Sequence, residues 1–119
     1  MVGKAFFLQR LNDHVVYLKK VQRTLDGTED FQVTDCHDCK LGKWLYGEGV
    51  SEAEAAGAKS KELFDSLFEP HKKFHDHSKA ALEKKGAGDD EGSKGDVTEM
   101  MKLSTTLVNT LLAMDQASR

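Results

Sequence analysis

The chain has 119 residues, of which 39% are apolar and 31% charged, with a formal net charge of −3. That length fits one domain, 1–119, and the interspersed acids and bases exclude the basic stripe that grips a phosphate backbone, so nucleic acid is not an expected partner. The apolar N-terminal stretch is broken at Gln9 and Arg10, and no run approaches the ~20 apolar residues of a membrane span, so a cytoplasmic chain without membrane insertion is expected.

In chain order, Phe7, Leu11, His14, Leu18, Val21 and Leu25 recur at alternating spacings of three and four, one face of a helix that Asp26 and Gly27 stop. Thr28 to Asp38 loses the period and reads as a long loop. Cys39 to Tyr46 suits a short helix, with Trp44 and Leu45 to bury and Gly47 and Gly49 to end it. Ser51 and Glu54 match a capping box, opening a helical run through Phe64, Leu67 and Phe68. Pro70 predicts a kink or a fresh helix start, with helix continuing to about Lys85. The composition of 86–96, GAGDDEGSKGD, predicts a flexible polar connection. Val97, Met100, Met101, Ser104, Leu107, Val108, Leu111 and Met114 then form a last amphipathic stripe. No strand-like alternation stands out. The expected fold is all-α, a four-helix bundle with a short extra helix carrying a cysteine ligand.

His14 lies on the stripe of the first helix, and His71 and His75 are four apart on the stripe of a second, so three imidazoles face one core. A buried imidazole left without partners costs roughly 1–3 kcal/mol, and one shared metal ion answers that need for all three. Histidines at i and i+4 can close on one zinc ion, and thiolate with imidazole suits zinc better than magnesium or calcium. Two cysteines occur, Cys36 and Cys39, a pair that reads as metal-binding or redox-active rather than as a structural disulfide. Cys39 is the better fourth ligand. It opens Cys39-Lys-Leu-Gly-Lys-Trp44, where Gly42 permits close helix approach and Leu41 and Trp44 can pin the segment.

The ordered pattern His14-x-x-Tyr17, Cys39-x-Leu41-Gly42-x-Trp44 and His71-x-x-x-His75 resembles the chemoreceptor zinc-binding (CZB) domain family over about residues 6–82. The resemblance implies a four-helix bundle with a three-histidine, one-cysteine Zn2+ site at His14, Cys39, His71 and His75. It also implies a homodimer, and a place in bacterial chemoreceptors, diguanylate cyclases or other signalling proteins, sensing zinc or an oxidant such as hypochlorous acid.

Cys36 stands outside the family pattern, as a partly exposed extra thiol or as a resolving cysteine for an oxidised Cys39. His37 and His77 read as solvated side chains, although His37 could reach the metal. The methionine stripe of the last helix reads as core or dimer interface. A C-x-x-C reductase would need a strand before the cysteines, and a diiron protein paired Glu-x-x-His motifs; neither is found. A zinc held by four protein ligands has no open position, so no enzymatic activity is expected. The alternative to a sensor is a structural zinc module for dimerisation or docking.

Overall fold

A computed structural model describes residues 3–117, with side chains from residue 7 onward. Six helices follow one another: α1 (Gly3–Leu25), α2 (Lys40–Leu45), α3 (Gly49–Ala56), α4 (Ala58–Asp65), α5 (Phe68–Gly86) and α6 (Asp90–Ala117). No strand occurs among the described residues. The molecule is a rod of 47 × 21 × 19 Å, because α6 alone has 28 residues and sets its length.

The expected all-α bundle is observed. Helix α6 packs against α1, α4 and α5, while α4 runs on into α5 after the two residues Ser66 and Leu67, so the pair lines one side of α6. The short α2 bears on α1, and α3 on α4. The core comes from the stripes that periodicity marks: Phe7, Val21, Phe64, Leu67, Phe74, Met100, Leu107, Leu111 and Met114 are all 1% exposed or less. Burying each such side chain contributes about 1.5–3 kcal/mol relative to leaving it in water. Met100, Leu107, Leu111 and Met114 are therefore core of a single chain, and the last stripe leaves none of these four for a dimer contact.

Three boundaries differ from expectation. The run from Ser51 to Phe68 is cut at Gly57, whose φ of 122° and ψ of 171° no L-residue adopts readily, giving α3 and α4. The capping box does not form: α3 opens at Gly49 with Glu48 as N-cap, and Ser51 Oγ donates back to the Glu48 carbonyl at 3.0 Å. Gly49 thus starts a helix instead of ending one.

The third difference is larger, because the flexible connection expected over 86–96 is mostly helix. Only 87–89 join α5 to α6. Gly88, at φ 83°, turns the chain, and the Asp89 amide returns to the Lys84 carbonyl at 2.8 Å. Asp89 Oδ1 then accepts from the Gly92 amide at 2.9 Å, and Asp90 and Glu91 place negative charge in the first turn, where a helix favours it. Ser93 Oγ donates to the Ala81 carbonyl at 2.9 Å, and Asp96 accepts from His77 Nδ1 at 2.8 Å and Lys84 Nζ at 2.7 Å. Capping and cross-helix bonds override the low helix propensity of three glycines.

Candidate metal centre

The site is assembled where the long loop, α2 and α5 meet. Tyr17 on α1 anchors the loop: its hydroxyl accepts from the Thr34 amide at 2.9 Å, and its ring meets Phe31 edge-on at 5.1 Å. The Thr34 carbonyl in turn accepts from His75 Nδ1 at 3.0 Å. That bond fixes the proton on Nδ1 and leaves the Nε2 lone pair of His75 facing inward, the tautomer a metal needs.

Cys39 is the N-cap of α2, and its Sγ accepts from the Gly42 amide at 3.2 Å. Trp44 holds α2 down by packing edge-on against Phe7 at 6.1 Å and Phe64 at 5.4 Å, and its Nε1 donates to Glu52 Oε1 at 3.1 Å. Gly42 serves a close approach, but to the loop backbone rather than to a helix. A Cβ there would overlap the Cys36 carbonyl oxygen.

Cys39 Sγ lies 3.3 Å from His71 Nε2, which lies 3.2 Å from His75 Nε2. All three ligand atoms fall within 4.8 Å of one another and all three residues are buried. Ligands at ~2.0–2.3 Å around a tetrahedral zinc are separated by roughly 3.3–3.6 Å, so these spacings fit a shared ion. His71 Nε2 can hydrogen-bond with His75 Nε2 or with Cys39 Sγ, but one shared ion would satisfy all three atoms at once. His71 Nδ1 has no hydrogen-bond partner among the described residues, so nothing fixes its tautomer as Thr34 fixes that of His75.

His14 is buried in the same core, edge-on to Phe74 at 4.7 Å, but outside this cluster. Its Nε2 is 2.9 Å from Ser104 Oγ on α6. The structure therefore brings together three of the four expected ligands and sets the fourth on a serine partner.

Burial governs the protonation of the site. It lowers His71 to about 3 and His14 to about 4, helped in each case by the neighbouring His75, and it lowers His75 as well, against the opposing pull of the Thr34 carbonyl. All three rings are thus neutral near pH 7 with lone pairs available. Burial raises the Cys39 thiol, the Gly42 amide opposing it, so a nearby cation is what would make it a thiolate.

The residues set aside fall differently. Cys36 is 6% exposed, not the partly exposed thiol expected, because the 35–38 turn folds it toward Tyr46. His37 is exposed, stacked on Tyr46 at 4.0 Å, with Nδ1 donating to Asp35 Oδ1 at 2.7 Å. His77 points away from the cluster, as expected, but is partly buried on Asp96 rather than solvated. Thr34 and Ser104 support the site without standing in the sequence pattern that marks the ligands. Ser104 carried a signal, being a polar residue at a core position of an apolar stripe; Thr34 carried none, since it acts through its backbone.

Among the described residues, no helix is long and apolar enough to cross a membrane. No curated protein and no solved structure was found to match the chain. Residues 14–82 match the family model of the chemoreceptor zinc-binding domain, a span that begins at His14 and encloses Cys39, His71 and His75. Over more than half its length the sequence carries that family's pattern, and its core holds a cysteine–histidine cluster able to take the metal: the chain belongs to the chemoreceptor zinc-binding (CZB) domain family.

Proposed function

We propose that Cys39, His71 and His75, with His14 as fourth ligand, hold one zinc ion, and that the domain is a cytoplasmic sensory or regulatory module of bacterial signal transduction rather than an enzyme. The observation that carries this is the convergence of Cys39 Sγ, His71 Nε2 and His75 Nε2 in a buried pocket, with the His75 tautomer set by Thr34. His14 would hold the ion in place of its present contact with Ser104 Oγ. A filled set of four protein ligands leaves no position for a substrate, which supports a non-catalytic role.

Bound zinc supplies one chemical effect here, holding the Cys39 sulfur as a thiolate. An oxidant input then acts on that sulfur: thiolate and hypochlorous acid give sulfenic acid and chloride, and the Cys36 thiol can condense with the sulfenic acid to form a disulfide and water. Losing the thiolate frees α2 and the loop, whose position depends on Cys39 and on the Gly42 contact with Cys36. The partner would be a chemoreceptor, a diguanylate cyclase or another signalling protein, with the domain acting as a homodimer. Among the described residues, Leu8, Val16, Met101 and Leu112 are the large apolar side chains left exposed on α1 and α6, and they are the surface we assign to that contact.

Cys39 is only 8% exposed, which favours a second reading in which the metal completes the core for docking alone. Metal analysis tests the site. About one zinc per chain is expected, with loss on His71→Ala and Cys39→Ala, and full retention in both variants defeats the assignment. Limiting hypochlorous acid with mass spectrometry separates the two roles: Cys39 modified first supports the sensor, Cys39 left intact while methionines are consumed supports the structural module.

A further inference from the structure

A second group of ligand atoms lies outside the buried cluster. Asp35 Oδ1, Cys36 Sγ and His37 Nδ1, from three consecutive residues, fall within 4.8 Å of one another. The Asp35–His37 separation is 2.7 Å and the Cys36–His37 separation 3.7 Å. The group is held in place before any ligand arrives. Asp35 Oδ1 also accepts from the His37 amide at 2.9 Å, the Asp38 amide closes the turn on the Asp35 carbonyl at 3.0 Å, and Tyr46 stacks on the His37 ring.

Location makes the group informative. It stands at the rim of a cleft of about 380 Å³ whose wall also includes His75, so one side chain of the buried cluster is reached from the same opening. The inner edge of the turn is the Cys36 carbonyl, 3.9 Å from Cys39 Sγ.

We propose that Asp35, Cys36 and His37 form a second metal site, lining the cleft, that captures a divalent cation of zinc-like softness and passes it through the cleft to the buried ligands. The capture role rests on the buried site proposed above; the outer site itself does not. Carboxylate, thiolate and imidazole together select a borderline cation over magnesium or calcium. Binding proceeds with loss of the Cys36 thiol proton to solvent, while the His37 proton moves from Nδ1 to the exposed Nε2. Asp35 and the Cys36 thiolate then balance the two charges of the ion, and water completes the coordination. Beside the site the cleft wall carries Lys72, Lys79 and Asp76, two positive charges against one negative, and that balance together with the water ligands keeps the outer site weaker than the inner one and suits it to transfer.

Titration of the metal-free full chain with cobalt(II), followed by thiolate-to-cobalt absorption, tests this. The wild type takes up two equivalents in a tight and a weak step. His71→Ala loses the tight step and keeps the weak one, whereas Cys36→Ser and His37→Ala weaken the weak step by at least about tenfold and keep the tight one. A single step in the wild type, unchanged by Cys36→Ser, overturns the outer site and leaves the buried one standing. A weak step that survives while the tight one is insensitive to His71→Ala defeats the buried site instead. Stopped-flow filling of the buried site is severalfold slower in Cys36→Ser at unchanged tight affinity. An unchanged filling rate overturns the capture role.

Discussion

Two glycine-rich stretches of this chain look alike in composition and do opposite things. In 42–49, a Cβ on Gly42 would overlap the Cys36 carbonyl, one on Gly47 would come within 2.7 Å of the Lys43 carbonyl, and one on Gly49 within 2.6 Å of the Trp44 carbonyl and 2.7 Å of the Phe64 ring. In 86–95, a Cβ on Gly86, Gly88 or Gly95 would meet nothing within 4 Å, and one on Gly92 would meet only the side-chain carboxylate of Asp89. At the metal end, glycine is demanded by backbone standing over it; at the far end Gly88 is demanded by its own φ of 83° and Gly92 faces only a side chain, while Gly86 and Gly95 are tolerated and polar side chains set the structure. A glycine's meaning thus lies in what stands over its α-carbon, which the sequence does not display.

The sharpest way to break this contrast is Gly42→Ala. The obstructing atom is backbone, so the loop or α2 must shift, at a cost of more than about 3 kcal/mol. Both stability, by urea denaturation, and zinc content are expected to fall. A variant with wild-type stability would show that Gly42 is there for another reason.

Acid comes next, because it acts on the metal end through His14 and His71. Their folded values of about 4 and about 3 lie below the unfolded value near 6.5, so between those limits the unfolded chain binds more protons and stability falls as pH falls. The metal-free protein should hold its stability above about pH 6.5 and lose on the order of 3–4 kcal/mol by pH 5. Denaturant midpoints across pH 5–7.5 measure this; a loss about half as large would mean that one ring is not buried neutral, and a flat profile that neither is.

At the far end the effect is smaller. Asp96 joins α5 to α6 through His77 and Lys84, both of them partly solvated, and Asp96→Ala should cost about 1–2 kcal/mol without altering zinc content. Gly95→Ala should do the reverse and stabilise by about 0.5–1 kcal/mol, since alanine is the better helix former and has room. A destabilised Gly95→Ala protein would make the two glycine stretches alike after all.

The same contrast explains what could be read from the sequence. The stripes of α1, α5 and α6 were legible because apolar burial imposes a period, and His71 with His75 because ligands on one helix turn inherit it. Cys39 was legible from its linked Gly42 and Trp44. The 86–96 stretch was misread because composition weighed more than Asp89 as a cap and Asp96 as a tie between helices, both of which depend on α5 being alongside. The break at Gly57 was missed for want of a second turn-former beside it. His14 was correctly placed in the core, but its contact with Ser104 spans ninety positions, and no local pattern reports such a pairing.

Thr34 carries a consequence of its own. Its amide is donated to a phenol on α1 and its carbonyl is claimed by an imidazole on α5, so one peptide unit is clamped from both sides. The loop cannot lift at this point without releasing His75, and His75 cannot change tautomer without loosening the loop. Amide hydrogen exchange at this one position therefore gauges the opening of the whole segment. Any event that occupies Nε2 of the ring lengthens the lifetime of the closed loop, and the backbone becomes a slow recorder of what happens at a side chain.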